Sequence, residues 1–144
     1  MTIVVRMLGS DETGVLASVA EGVFDDPVRP ELAAEYLADP RLHLAVALDG
    51  DLVVGMASGV HYLHPDKPAQ LFINEVGVAP SHQRRGLGRR LVETLLGHGR
   101  ELGCHEAWVA TEVDNEPARQ LYLSTGGIED PTPAIVYTYR LSGK

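Results

Sequence analysis

The sequence predicts an α/β fold of the α+β kind: a mixed, mostly antiparallel sheet with helices on both faces and one central β-α-β crossover. Three observations carry this reading. A β-rich run from Leu71 to Val78 turns at Ala79-Pro80 and enters an amphipathic helix through Gly86-Leu87-Gly88. Asp49-Gly50 separates two apolar, β-rich runs, as in a tight hairpin. The elements follow the order β-α-α-β-β-β-α-β-α-β, so antiparallel strands come first and a right-handed parallel crossover later.

Ile3 to Leu8 is β-branched and apolar and ends at Gly9, which makes a short first strand. Ser10 and Asp11 can cap a helix carrying Val15, Leu16, Val19 and Val23 on one face, broken at Pro27. Pro30 suits the first turn of a second short helix with Leu32, Ala33, Tyr36 and Leu37, ended by Asp39-Pro40. Leu42–Leu48 and Leu52–Tyr62 form the hairpin, where Gly55 and Gly59 suggest bulges or a close backbone approach. The Leu71–Val78 strand is central. Leu87, Leu91, Leu95 and Leu102 then share a helical face closed by Gly103. Glu106 to Val113 reads as a strand, and Asp114 or Asn115 caps a short helix with Pro117 in its first turn. Gly126-Gly127 ends that helix, and Ile135 to Leu141 alternates as a final strand.

At 144 residues the chain is expected to form one domain, spanning 1–144, with a real core. A formal net charge of −8 makes nucleic acid an unsuitable partner and a cationic ligand a suitable one. The lone Cys104 excludes an internal disulfide and fits a reducing cytoplasm. No apolar run approaches the ~20 residues that a membrane helix needs, and the N-terminus lacks the core of a signal peptide. A soluble, cytoplasmic protein without a membrane partner is the expectation.

The segment Gln83-Arg84-Arg85-Gly86-Leu87-Gly88-Arg89-Arg90 has the makings of a phosphate pocket. The first N–H groups of a helix lack internal partners and sit at the positive end of its dipole. Glycines let a diphosphate approach the backbone, and the arginines add charge that is unfavourable there without an anion. Glu75 stands out next. A carboxylate in an otherwise apolar strand is costly unless used or paired, so it reads either as a proton acceptor or as half of an ion pair.

On these residues the chain resembles the GNAT superfamily of N-acetyltransferases. Gln83-Arg84-Arg85-Gly86-Leu87-Gly88 matches its pyrophosphate motif, Gln/Arg-x-x-Gly-x-Gly/Ala, in full. Asn115, followed by a short helix carrying Leu121-Tyr122-Leu123-Ser124-Thr125-Gly126, matches its second feature. Within the superfamily the chain is similar to aminoglycoside 3-N-acetyltransferases through Asp49, Val53-Val54-Gly55, Pro65-Asp66-Lys67-Pro68, Asp114 to Ala118 and Ile135 to Tyr139.

The resemblance implies direct transfer of acetyl from acetyl-CoA to a primary amine of a small cationic acceptor, without a metal. Backbone amides from Arg84 to Arg89, with Gln83, would hold the diphosphate. Val76 and Val78 would offer edge N–H groups to the pantetheine arm and the oxyanion, with a bulge allowed at Gly77 between them. Glu75 would be the base; a partly buried carboxyl suits that task near neutrality. Tyr122 would protonate the leaving thiolate, or else is an ordinary core tyrosine. Asn115 would bond the pantetheine, cap its helix, or both. Asp25, Asp26 and Glu31, with Glu35, lie in the first helical pair, where the family binds acceptors, and could attract a polycation; a solvated acidic face is the plainer use. A homodimer joined through the C-terminal strands is also implied. His61 and His64 lack a cluster that would complete a metal site, and Cys104 reads as structural. A non-catalytic CoA-binding module, or an enzyme for polyamines, amino acids or peptide N-termini, would use the same scaffold. A dinucleotide fingerprint fails for want of its third glycine.

Overall fold

The computed structural model describes residues 2–143. They fall into two compact units, one ending at Ala110 and one starting at Thr111. The first holds a five-stranded sheet in the order β1-β2-β3-β4-β5: Ile3–Met7, Leu42–Asp49, Leu52–Tyr62, Gln70–Val78 and Glu106–Trp108. The first three pairings are antiparallel and the last, β4 with β5, is parallel. Two helices join it, α1 (Pro30–Ala38) and α2 (Leu87–Glu101). The expected mixed sheet is therefore present.

The hairpin forms where Asp49-Gly50 placed it, with Gly50 at φ +61°. Val46, Ala47, Val53, Val54 and Ala57 are fully buried at its centre. Helix α2 buries Leu87, Leu91, Val92 and Leu95 against the sheet. It sits close because of the two strand glycines. A Cβ at Gly55 would lie 2.9 Å from Leu91, and one at Gly59 3.3 Å from Leu95. Both expected roles of those glycines hold, since the β2–β3 register slips beside Gly55 and the β3–β4 register slips beside Gly59. Leu102 lies just past the end of α2, and Gly103 at φ +84° closes the turn.

The stretch after β1 departs from expectation. Residues Thr13–Ala17 form one 3-10 turn, and Ser18 is already extended. Val53 N–H donates to the Ser18 carbonyl at 2.9 Å and Ala20 N–H to the Val53 carbonyl at 2.8 Å. This short parallel bridge competes with helix and wins, because Gly14 and Gly22 weaken the helical alternative. Strand β5 is also shorter than the Glu106–Val113 expected. It pairs only Glu106, Ala107 and Trp108 with Gln70, Leu71 and Phe72.

The β3–β4 register slip decides what β4 presents. Ser58 stands opposite Glu75, yet Gly59 stands opposite Ile73, so Asn74 is an extra residue in β4. Before it, Leu71 and Ile73 face α2; Leu71 touches the position a Gly99 Cβ would take. After it, Gly77 faces the other way, toward the Val23 carbonyl and Met56. The odd-numbered side chains thus change faces at Asn74. The expected bulge at Gly77 lies instead at Asn74, because Gly77 is occupied with the close approach of the Val23 backbone.

The second unit contains α3 (Glu116–Ser124), capped by the Asn115 side chain, which accepts from Ala118 N–H at 3.2 Å. Gly126 at φ +97° ends it. The final strand expected at Ile135–Leu141 is not formed: the segment carries no ladder, and Ile135, Val136, Tyr137, Tyr139 and Leu141 are exposed. A lone alternating run has no partner strand in its own unit. Among the described residues, no helix is long and apolar enough to cross a membrane.

Candidate active site

A cleft of about 480 Å³ opens on the face of the sheet away from α2. Its floor is Leu44, Ser58, Asn74 and Glu75, and its wall is the Phe24–Arg29 loop with Leu32, Ala33 and Tyr36 of α1. The bulge makes this possible. Strict alternation from Leu71 and Ile73 would have turned Glu75 toward α2; the extra Asn74 puts it in the cleft.

The charge there is lopsided. Asp25, Asp26 and Glu75 all line the cleft, and among the described residues none has an ion pair or hydrogen bond. The ion-pair alternative for Glu75 is therefore not realised. Nor is the shelter: Glu75 is exposed, not partly buried as expected for a carboxylate in an apolar strand. Glu31 lies outside the lining, paired with Arg29 at 2.8 Å, and both side chains are exposed. Such an excess of carboxylate attracts cations.

Two groups to which the sequence assigned no role at the site complete the cleft. Tyr36 donates its hydroxyl to the His43 carbonyl at 2.6 Å. Burial, assisted by the nearby Glu75 charge, pushes its phenol up to about 12, so it stays protonated. Ser58 is buried beside the Tyr36 phenol, which its hydroxyl holds a little lower than burial alone would, and its Oγ accepts no hydrogen bond among the described residues. No periodicity marks a serine between Ala57 and Gly59 as a pocket group. It becomes visible only once the bulge sets which face it occupies.

The other end of β4 leads to the arginine turn. Ala79 N–H donates to the Val54 carbonyl at 2.8 Å, so alternation sends the N–H groups of Val78 and Val76 to the opposite edge. The β5 pairing has stopped at Phe72, and that edge of β4 carries no strand beside Val76, Gly77 and Val78 in this unit. Gln83 Nε2 donates to the outward Val78 carbonyl at 3.1 Å. Arg84 then takes φ +64° and Gly86 φ +74°, an alternation that aims successive backbone N–H groups inward. Gly86 is the N-cap of α2, and no side chain caps the N–H groups that follow. A Cβ at Gly86 would meet nothing within 4 Å, so the space in front is open. Leu87 is buried and offers only its backbone.

The arginines divide their work. Arg90 donates to the Ile3 carbonyl at 3.0 Å, and Arg89 approaches Glu93 at 3.4 Å. Arg84 and Arg85 have no partner among the described residues and remain available to an anion. The turn is tied down from below: His82 Nε2 bonds Asp49 Oδ2 at 2.8 Å and its Nδ1 meets Ser81 Oγ at 2.7 Å. That brace links the hairpin to the turn, and the sequence reading missed it.

In the second unit, Tyr122 is half-buried on α3, and burial raises its phenol above the ordinary value. Asn115 acts as the helix cap described above. Cys104 in the first unit is partly buried, which likewise pushes its thiol up, in keeping with a structural role. Among the described residues no group of three or more His, Cys, Asp or Glu is arranged for a metal. His61 bonds His43, and His64 bonds Gln70.

The model of the acetyltransferase (GNAT) family matches residues 13–126. The chain is 36% identical over 104 residues to the N-alpha-acetyltransferase RimI of Mycobacterium tuberculosis, covering 72% of this chain and 63% of that protein. It is 34% identical over 127 residues to mycothiol acetyltransferase of Pseudarthrobacter chlorophenolicus, covering 82% of this chain and 39% of the relative. The chain thus spans under two thirds of either relative's length. In structure it is similar to an aminoglycoside acetyltransferase from an uncultured soil metagenomic sample, with a TM-score of 0.80, 19% identity, and 96% and 97% of the two chains covered. At that identity the likeness speaks for the fold alone.

Proposed function

The chain belongs to the acetyltransferase (GNAT) family, and on that premise we propose that it transfers acetyl from acetyl-CoA to a primary amine of a small cationic acceptor. The observation that carries this reading is the Asn74 bulge. One strand, β4, thereby offers an unpaired carboxylate to an acidic cleft and, one and three residues on, free N–H groups along its outer edge.

The arginine turn fits a diphosphate. Its backbone is preset with two left-handed residues, its helix end is uncapped, and its space is open. Gln83, Arg84, Arg85, Gly86, Leu87, Gly88 and Arg89 are the proposed holders of the cofactor's diphosphate, mainly by backbone. Acetyl-CoA supplies an activated thioester. Val76 and Val78 offer N–H groups to the pantetheine arm and to the oxygen that gains charge, and Gly77 keeps the strand between them slim. Asp25 and Asp26 draw the cationic acceptor into the cleft, while Glu31 contributes only at longer range. Glu75 takes the proton from the entering ammonium, freeing the nitrogen lone pair. Tyr122, kept protonated by burial, is the proposed donor to the thiolate. Asn115 keeps its capping role and is the proposed pantetheine partner.

The family likeness favours a second acceptor class, the α-amine of a peptide, since one relative is an N-alpha-acetyltransferase. The aminoglycoside reading rests on the similarities of short segments and on a fold likeness at 19% identity. Thiol release from acetyl-CoA against aminoglycosides, polyamines, amino acids and peptide N-termini separates them. Turnover on one class is expected, with Glu75→Gln at least about a hundredfold slower and acetyl-CoA affinity kept. Tight acetyl-CoA binding with no turnover on any amine would replace the enzyme by a CoA-binding module.

A further inference from the structure

Ser58 is the one buried side chain among the described residues whose polar atom makes no well-formed hydrogen bond, with the Tyr36 hydroxyl beside it. It is 7% exposed, and it lines the cleft beside Tyr36, Asn74 and Glu75. A buried hydroxyl whose oxygen accepts nothing is costly, and alanine at this position would carry no such cost. That oxygen is open to a donor that arrives from outside the protein.

The neighbours narrow what that partner is. Tyr36 has committed its hydrogen to the His43 carbonyl, and its oxygen lies 3.4 Å from the Gly59 carbonyl, which leaves the phenol oxygen to accept from the Ser58 hydroxyl. The cleft's remaining polar groups near Ser58 are Asn74 and Glu75, both without hydrogen bonds among the described residues. Ser58 and Glu75 are directly opposed across the β3–β4 ladder, and opposed side chains project from the same face with Cβ atoms about 5 Å apart. A single tetrahedral nitrogen fits between two groups so spaced.

Resting on the acetyltransferase reading above, we propose that Ser58 is an acceptor-binding residue: its Oγ accepts one N–H of the substrate amine while its own hydrogen points to the Tyr36 oxygen. One ammonium proton passes from nitrogen to Glu75. A second N–H stays on Ser58 Oγ, which fixes the direction of the freed lone pair. The bond to Ser58 also fixes what the site reads. A primary amine retains the N–H that Ser58 needs after deprotonation, whatever scaffold carries it, so Ser58 recognises the reacting nitrogen and the acidic loop recognises the rest.

The test is Ser58→Ala beside Glu75→Gln, using whichever amine of the panel the wild type acetylates. Ser58→Ala is expected to melt within a few degrees of the wild-type temperature, because within the fold only the contact with Tyr36 is lost. Its KM for the amine should rise at least about tenfold while its KM for acetyl-CoA stays within twofold, an order set by one lost hydrogen bond. A melting temperature lower by more than about 8 °C would mean the hydroxyl holds the fold together, and would overturn the assignment. An unchanged amine KM, with Glu75→Gln inactive, would remove Ser58 and leave the acetyltransferase reading standing. A wild type silent on every amine would remove both.

Discussion

His43 sits on β2 with its ring against α2, 8% exposed, between two other imidazoles. Its Nε2 is 2.7 Å from His61 Nδ1, and its Nδ1 is 3.1 Å from His98 Nε2. Neutral His43 carries one hydrogen, so it donates to one neighbour and accepts from the other. Burial first, then the charges of His98 and His61, lower its pKa from 6.5 to about 4, with Asp39 opposing weakly. Between those values the unfolded chain binds a proton that the folded chain refuses. The stability that follows is whole above the unfolded value and drains away as pH falls toward the folded one. Taking those two values, about 2 kcal/mol should be lost by about pH 5, an upper figure because His61 and His98 are only partly buried. That loss corresponds to roughly 1 M in the urea midpoint. Glu12, Asp39 and Glu129, whose carboxyls are lowered by Arg6, Arg41 and Arg119, surrender their part only below the ordinary carboxylate range. The interval from about pH 7 to about pH 5 therefore separates the His43 contribution from theirs. The measurement is the urea midpoint at both ends for the wild type and for His43→Leu, which fills similar space without titrating. The wild type should lose stability across the interval and the variant should be flatter. Equal slopes in the two proteins would refute the reasoning.

Two further perturbations separate the turn from the core. Gly86→Asp places a side chain into open space at φ +74°, at a strain of about 1 kcal/mol, so folding should survive with a Tm lower by a few degrees. Its carboxylate would face the diphosphate, and acetyl-CoA affinity by calorimetry should fall at least about tenfold; affinity equal to wild type would sink the proposed pocket. Gly77→Ala drives a methyl into the Val23 carbonyl, which cannot move aside as a flexible side-chain end could. An overpacking cost of about 1–3 kcal/mol is expected in chemical denaturation, and an unchanged midpoint would mean that the Phe24–Arg29 wall yields freely.

What the sequence conveyed was whatever rests on local rules. Asp49-Gly50 specifies a hairpin by itself, Pro30 opens α1, Gly103 closes α2, and Asn115 caps α3 through its own side chain. Where the outcome depended on a distant partner, the reading failed. Val19 prefers Val53 to a helix, and that preference is invisible at Val19. The alternation of Ile135–Leu141 is real, but a strand exists only with a neighbour to pair. The arginine turn lies between these cases. Its glycines and charge pointed to an anion, yet that Arg84 itself adopts a left-handed backbone could not be read from an arginine.

The cleft shows the same limit most sharply, because one inserted residue reverses every conclusion drawn from alternation. In a regular strand, Leu71, Ile73, Glu75 and Gly77 would share a face, and Glu75 would point into the layer where Leu71 and Ile73 are buried beneath α2. A carboxylate there would have to be paired or neutralised. Asn74 removes the problem by occupying an unpaired place in β4, so that Glu75 joins Ser58 in the cleft and Gly77 meets the Val23 backbone. The oddity that drew attention to Glu75, a charge in an apolar strand, was thus the trace of a bulge the sequence did not otherwise mark. Deleting Asn74 should not merely shorten the strand. It would exchange the contents of two faces, burying the proposed base and emptying the cleft in one step.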